Sequence, residues 1–332
     1  MGSLEQGAKN AVETCMGVKR GERVLIVTDD SQLKVGNSIR DAAEKIAGKE
    51  NVRVFVLEKI AERPLESLPG EIDEAITRSD VTFWAAQSLP GELGARHRFI
   101  NQAKKYARHG HMPNVTAALM EQGMCADYNE VYELTHRVYE FVKKAKVIEV
   151  TNDLGTSITL EFDSAWRWVP SDGRYHVKGK WGNLPEGETF TAPKKVNGKL
   201  FTNLLGDWFS EKYGNFGETL SLSINDSLID LGSIHTTNAK LKEEITRYLS
   251  TDHNSNRASE FALPTNPLLI TLPTIGNLLQ DEKARVHIAF GDPYPDETGA
   301  NWESKTHVDM LLERCNVTVD GKELMRNGKY LL

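Results

Sequence analysis

The sequence predicts an α/β N-terminal domain with a mostly parallel sheet, followed by an α+β C-terminal domain with a largely antiparallel sheet. Three observations predict it. Short β-branched runs alternate with helical repeats through the first part of the chain, the order of successive βαβ units. Near Val147 the pattern changes to two-residue alternation broken by turn residues, as in antiparallel hairpins. A length of 332 residues, 39% of them hydrophobic, suits about two domains. The boundary is placed at 146/147, with 1–146 as a Rossmann-like scaffold and 147–332 as the domain that carries the chemistry.

Each element has its own signal. Arg23–Thr28 is an apolar, β-branched run ending in Asp29-Asp30, which reads as a buried parallel strand. Val35, Ile39, Ala42, Ala43 and Ile46 then recur at helical spacing. Val52–Leu57 and Val81–Ala85 read as further strands. A helix over Asn129–Lys144 places Val131, Leu134, Val138 and Phe141 on one face. Beyond it, Val147–Thr151 and Ser157–Asp163 flank Asn152-Asp153-Leu154-Gly155 as a hairpin. Later strands are expected at Leu220–Ile224, Ala284–Phe290 and Val317–Val319, with a helix at Lys240–Ser250.

The βαβ order invites a dinucleotide-binding reading, but the first strand leads into TDDSQLKVGNS, which has neither GxGxxG nor a P-loop. The chain carries 40 basic and 47 acidic residues, a formal charge of −7 with no block of one sign. Such a surface argues against nucleic acid and anionic membrane as main partners. Cys15, Cys125 and Cys315 are sparse and odd in number, and form no CxxC pair or disulfide framework. With no signal-peptide pattern and no stretch of membrane-span length, a reduced cytoplasmic setting is expected. His109 and His111, in RHGHMP, lack a carboxylate partner with similar support and read as part of a polar loop.

The C-terminal half holds side chains of metal-binding type: Glu188, Glu260, His287, Tyr294, His307 and Asp309. Three carboxylates, two imidazoles and a phenol exceed one closed zinc site but suit two divalent ions sharing a bridging group. In an extended strand His307 and Asp309 point to one face, with Val308 turned to the core. Arg285, His287, Ala289 and Gly291 share another face, where small neighbours leave room for an ion. Tyr294 follows a Gly-Asp-Pro turn, placed to bind a metal or to donate to a tetrahedral intermediate. Glu188 follows Pro185-Glu186-Gly187, a tight-turn signature whose glycine permits close backbone approach. Glu260 leads into a segment held extended by Pro264 and Pro267, where a carboxylate is costly unless paired or coordinated.

In the order NLPEGETFTAP, EFALPTN, VHIAFGDPYP and HVDM, these segments resemble the family of metallo-aminopeptidases that includes aminopeptidase T and aminopeptidase S. The resemblance covers roughly residues 145–320 and reaches the first domain only as a generic α/β pattern. It implies a ligand set of Glu188, Glu260, His287, Tyr294, His307 and Asp309 around two zinc, cobalt or manganese ions. It implies hydrolysis of the N-terminal peptide bond of short peptides in a homodimer, with Glu188, Glu260 and Tyr294 serving catalysis. The chain departs from the family in a shorter N-terminal domain, a trimmed PDETGANWESKT segment, and Leu263-Pro264 before Thr265-Asn266. The same motifs also resemble ring-cleaving dioxygenases acting on dihydroxypyridines, which use one iron held by histidines and a carboxylate. A metal-binding homologue acting on an unusual amide is the third possibility.

Overall fold

A computed structural model describes residues 2–206 and 208–332, which divide into two compact units. The first comprises Met1–Tyr132 and Asp172–Glu186; the second comprises Glu133–Ser171 and Gly187–Leu332. The sequence placed the division at 146/147. The units instead change within a helix, and Asp172–Glu186 belongs with the first unit because it supplies a strand to that unit's sheet.

The first unit is built on β1 (Val24–Thr28), β2 (Val52–Val56), β3 (Val81–Ala85) and β4 (Arg108–His111). With the short strand Trp181–Asn183 they form a five-stranded, wholly parallel sheet in the order β2-β1-β3-β4-(181–183). Every residue of β1 and β3 is buried, as expected of parallel strands covered on both faces. Helix α1 (Leu33–Ala47) buries Val35, Ile39 and Ala43, and α2 (Leu93–Tyr106) sends Phe99 and Ala103 into a core with Trp84. At the C-terminal end of β1, where open α/β sheets commonly bind ligands, Asp29 is occupied internally. Arg63 Nη1 donates to Asp29 Oδ2 at 2.7 Å, and its Nε and Nη2 form a fork on Glu92 at 2.8 and 2.5 Å. Asp29 also accepts from the backbone of Gln32 and Gln87.

One reading needs correction. His109 and His111 lie on the buried strand β4, not in a polar loop. Two residues apart on a strand, they share a face: His109 Nε2 lies 3.2 Å from His111 Nδ1, and His109 Nδ1 contacts Thr82. Burial drives the pKa of His109 down to about 3, so the ring is a neutral core group. Among the described residues neither histidine belongs to a group of three metal-ligating side chains.

The second unit stacks two antiparallel sheets. One has eight strands and runs from Leu228–His235 at one edge to Lys329–Tyr330 at the other. The other comprises β5 (Val169–Ser171), β6 (Glu188–Thr191), β7 (Ala258–Pro264), β8 (Val286–Gly291) and β9 (His307–Leu312), in the order β9-β8-β7-β6-β5. Phe261 and Leu263, then Val286, Ile288 and Phe290, then Val308, Met310 and Leu312 face the shared core. There they meet Ile148, Val150, Leu160 and Val196 of the larger sheet. The strand expected from Ala284 begins at Val286, because Glu282–Ala284 forms a 3-10 turn. A helix at Ala239–Tyr248 is capped by the Asn238 side chain on Leu241 N.

Candidate metal centre

Alternation along β7, β8 and β9 gives the smaller sheet a second face, and on it stand the charged groups. Asp309 lies directly across from Ala289, and Ala289 across from Glu260. The three form a row over adjacent strands with only a methyl group at its middle. A β-bulge between Ala258 and Glu260 makes this possible. Ala258 and Phe261 both reach the core, so the extra residue changes the parity of β7 and turns Glu260 to the opposite face. His287 stands across from Ala262, another small neighbour.

Glu188 opens β6. The preceding Gly187 has φ +136°, and a Cβ there would lie 2.8 Å from Asn266 N. The close approach therefore serves the neighbouring backbone, with Thr265 N donating to Gly187 O at 2.7 Å, rather than a ligand. On the far side, Gly206 N donates to Asp309 O at 2.8 Å, and a Cβ at Gly206 would lie 2.6 Å from Asp309 Oδ2. Only glycine lets this backbone pass so close to the aspartate.

The groups converge on two overlapping triads. Glu188, Glu260 and His287 offer ligand atoms within 4.8 Å of one another, and so do Glu260, His307 and Asp309. His287 Nε2 is 3.6 Å from Glu188 Oε2 and 3.7 Å from Glu260 Oε1. His307 Nε2 is 3.5 Å from Glu260 Oε2 and 3.4 Å from Asp309 Oδ1. These separations are long for hydrogen bonds. They suit ligand atoms about 2 Å from a common ion, whose mutual distances are then above 3 Å. Glu188 Oε2 is buried without a hydrogen-bond partner among the described residues, a costly state unless a cation completes it. The donor set thus fits divalent metal.

The outer contacts fix the imidazoles. His307 Nδ1 donates to Asp292 O at 2.8 Å and His287 Nδ1 to Arg285 O at 3.2 Å, so each Nε2 faces the carboxylates. Burial opposes charge on both rings, but carboxylates outweigh it. Glu260, Glu188 and Asp309 hold the pKa of His287 up at about 10, and Asp309 and Glu260 do the same for His307. Burial likewise opposes ionisation of Asp309, yet His307 and His287 keep its pKa below the ordinary carboxylate value.

Tyr294 adopts a left-handed conformation, φ 51° and ψ 64°, at the end of the Gly-Asp-Pro turn. The residue is 43% exposed, and its ring centroid lies 4.7 Å from that of His307. Burial around its hydroxyl, with the charges of Glu260 and Asp309, keeps the phenol protonated well above its usual range. All six residues singled out in the sequence therefore gather at one place. Sequence reasoning missed Gly206, Glu282 and Lys283. Lys283 is fully buried, its Nζ 2.5 Å from Glu188 Oε1 and 2.8 Å from Glu282 Oε1. A lysine beside a glutamate before a strand carries no signal of that destination.

Comparison with known proteins adds independent information. The model of the thermophilic metalloprotease (M29) family matches residues 59–330. Aminopeptidase T of Thermus aquaticus is 28% identical over 177 residues, and that of Thermus thermophilus is 29% identical over the same length. Each match spans 45% of this chain but only 40% of the relative. The structure of AmpT from Thermus thermophilus superposes with a TM-score of 0.75 at 17% identity, covering 99% of both chains. That of 2,5-dihydroxypyridine dioxygenase from Pseudomonas putida KT2440 gives 0.70 at 16% identity, covering 99% of this chain and 96% of the other. At such identities the superpositions speak for the fold.

Proposed function

Since this chain belongs to the thermophilic metalloprotease (M29) family, we propose that it is a metal-dependent aminopeptidase acting on short peptides at a dinuclear site. The observation that carries the reading is the pair of triads sharing Glu260, whose Oε1 faces His287 and whose Oε2 faces His307. In a two-ion site Glu260 would be the shared ligand, with Glu188 and His287 serving one ion and His307 and Asp309 the other. Zinc, cobalt or manganese ions bound there would acidify a water and polarise the scissile carbonyl.

The chain's own groups do the rest. Carbonyl partners hold His287 and His307 with Nε2 forward. Asp309 stays ionised. Tyr294, kept protonated and packed on the His307 ring, would donate to the oxyanion formed on attack at the carbonyl. A carboxylate oxygen of Glu188 or Glu260 left free by the ions can carry the proton to the leaving amine. A homodimer and a cytoplasmic setting are part of the same proposal, and native mass measurement checks the first.

Elemental analysis of wild type and Glu260→Ala, with hydrolysis of leucyl and other aminoacyl amides, tests the reading. Two divalent ions per chain, falling to one or none in the variant with a loss of activity of at least about 10²-fold, are expected. One iron per chain with no amide hydrolysis would replace this reading with ring-cleaving oxygenation. A full metal complement with no turnover of any aminoacyl amide would point to an unusual amide.

A further inference from the structure

The two triads are alike in ligand number but unequal in surroundings. Lys283 sits in the turn Glu282–Ala284 that feeds β8, with its side chain 2% exposed. Its ammonium lies 2.5 Å from Glu188 Oε1 and 2.8 Å from Glu282 Oε1. An ammonium only donates, so it claims Oε1. Glu188 is left with Oε2, the buried and unpartnered oxygen that faces His287. An ammonium shared between Glu188 and Glu282 thus stands directly behind one ligand of the Glu188–Glu260–His287 triad. The flank of the other triad is different: there Asp309 is met by the peptide backbone of Gly206.

We propose that Lys283 makes the Glu188–Glu260–His287 position the weaker, exchangeable one of the pair, with Glu188 reduced to a one-oxygen ligand. The Glu260–His307–Asp309 position is the permanent one. This rests on the two-ion reading above. The effect that carries this is loss of electron density from a carboxylate already shared with a strong donor, since the Glu282 carboxylate beside the ammonium offsets its repulsion of a dication. Lys283 touches no substrate atom in this scheme; it acts through Glu188 as a positioning residue. Such outer contacts commonly alter metal affinity by about 10- to 100-fold.

The test is titration of the metal-free full-length protein with Co²⁺, followed by calorimetry and by the visible absorption of the bound ion. Wild type, Lys283→Met, Lys283→Gln and Lys283→Arg are compared. Wild type is expected to fill in two steps at least about tenfold apart. The Met and Gln variants tighten the weaker step by about 10- to 100-fold, change its absorption intensity as Glu188 gains a second coordinating oxygen, and leave the tighter step unaltered. The Arg variant keeps the weak step. If Lys283→Met does not fold, Lys283→Gln carries the comparison. Two equal steps in wild type overturn the inference while leaving the two-ion reading intact. So does a Met or Gln variant, folded by circular dichroism, whose weaker step is unchanged or weakened. Absence of bound Co²⁺ from wild type and every variant overturns the two-ion reading and this inference with it.

Discussion

His287 and His307 are buried imidazoles whose charge is set by carboxylates rather than by solvent. Each has an ordinary pKa of 6.5 and a folded value of about 10 when no metal is present. A group whose pKa rises on folding binds a proton that the unfolded chain has already lost. Its contribution is therefore complete below about pH 6.5 and disappears as the pH climbs through about 10. Thermal melts of the chelated protein should show a midpoint that falls across that window, while the metal-loaded protein, whose imidazoles are held neutral by coordination, should change far less. A chelated midpoint that is flat or rising there would contradict the assignment. At this scale the sequence was informative where chemistry and spacing coincide, as with His307 and Asp309 on one strand face. It was silent on Lys283 and Gly206, whose roles arise only when turns distant in sequence meet the site.

Elements convert that chemistry into geometry. The row Glu260–Ala289–Asp309 crosses three strands, and its spacing depends on the register of β7 against β8 and β8 against β9. Ala289 is the gap in the row. Ala289→Val places two further methyl carbons between the carboxylates and should cost about 1–3 kcal/mol in stability through overpacking. Bound metal should fall below one ion per chain while far-UV circular dichroism stays native. Full metal content in the folded variant would mean that the ions sit elsewhere. The strands themselves were legible: β1 and β3 are continuous apolar runs, and the alternation of β8 and β9 shows which residues share a face. The bulge in β7 was not, since one additional residue changes which face Glu260 takes without altering the apolar pattern around it. Nor was β4, because Arg-His-Gly-His looks like a solvated loop until its histidines pair with each other inside the core.

The molecule as a whole keeps its ionic groups in two unlike arrangements. Around Glu260 they stand 3.4–3.9 Å apart, too far for close ion pairs. In the first unit, Arg63 closes tightly on Asp29 and Glu92, whose side chains are fully buried. Arg63→Ala would leave two buried carboxylates without their counter-charge and should destabilise the protein by about 3–5 kcal/mol, a midpoint shift visible in calorimetry. A shift under about 1 kcal/mol would show that water or another cation takes its place. The absence of a phosphate-binding loop was legible in the sequence, whereas this network was not: its members are spread from Asp29 to Glu92 and joined only by tertiary folding. No helix among the described residues is long and apolar enough to cross a membrane.

Three of the four strands that bear candidate ligands also carry the core on their reverse: Phe261 behind Glu260, Ile288 behind His287, Met310 behind Asp309. Metal binding on one face and packing on the other would therefore be thermodynamically linked. Free metal at a thousandfold excess over its dissociation constant would add about 4 kcal/mol against unfolding. Durability in hot solution would then depend on the concentration of an ion in the surroundings, and a chelator would take that increment away.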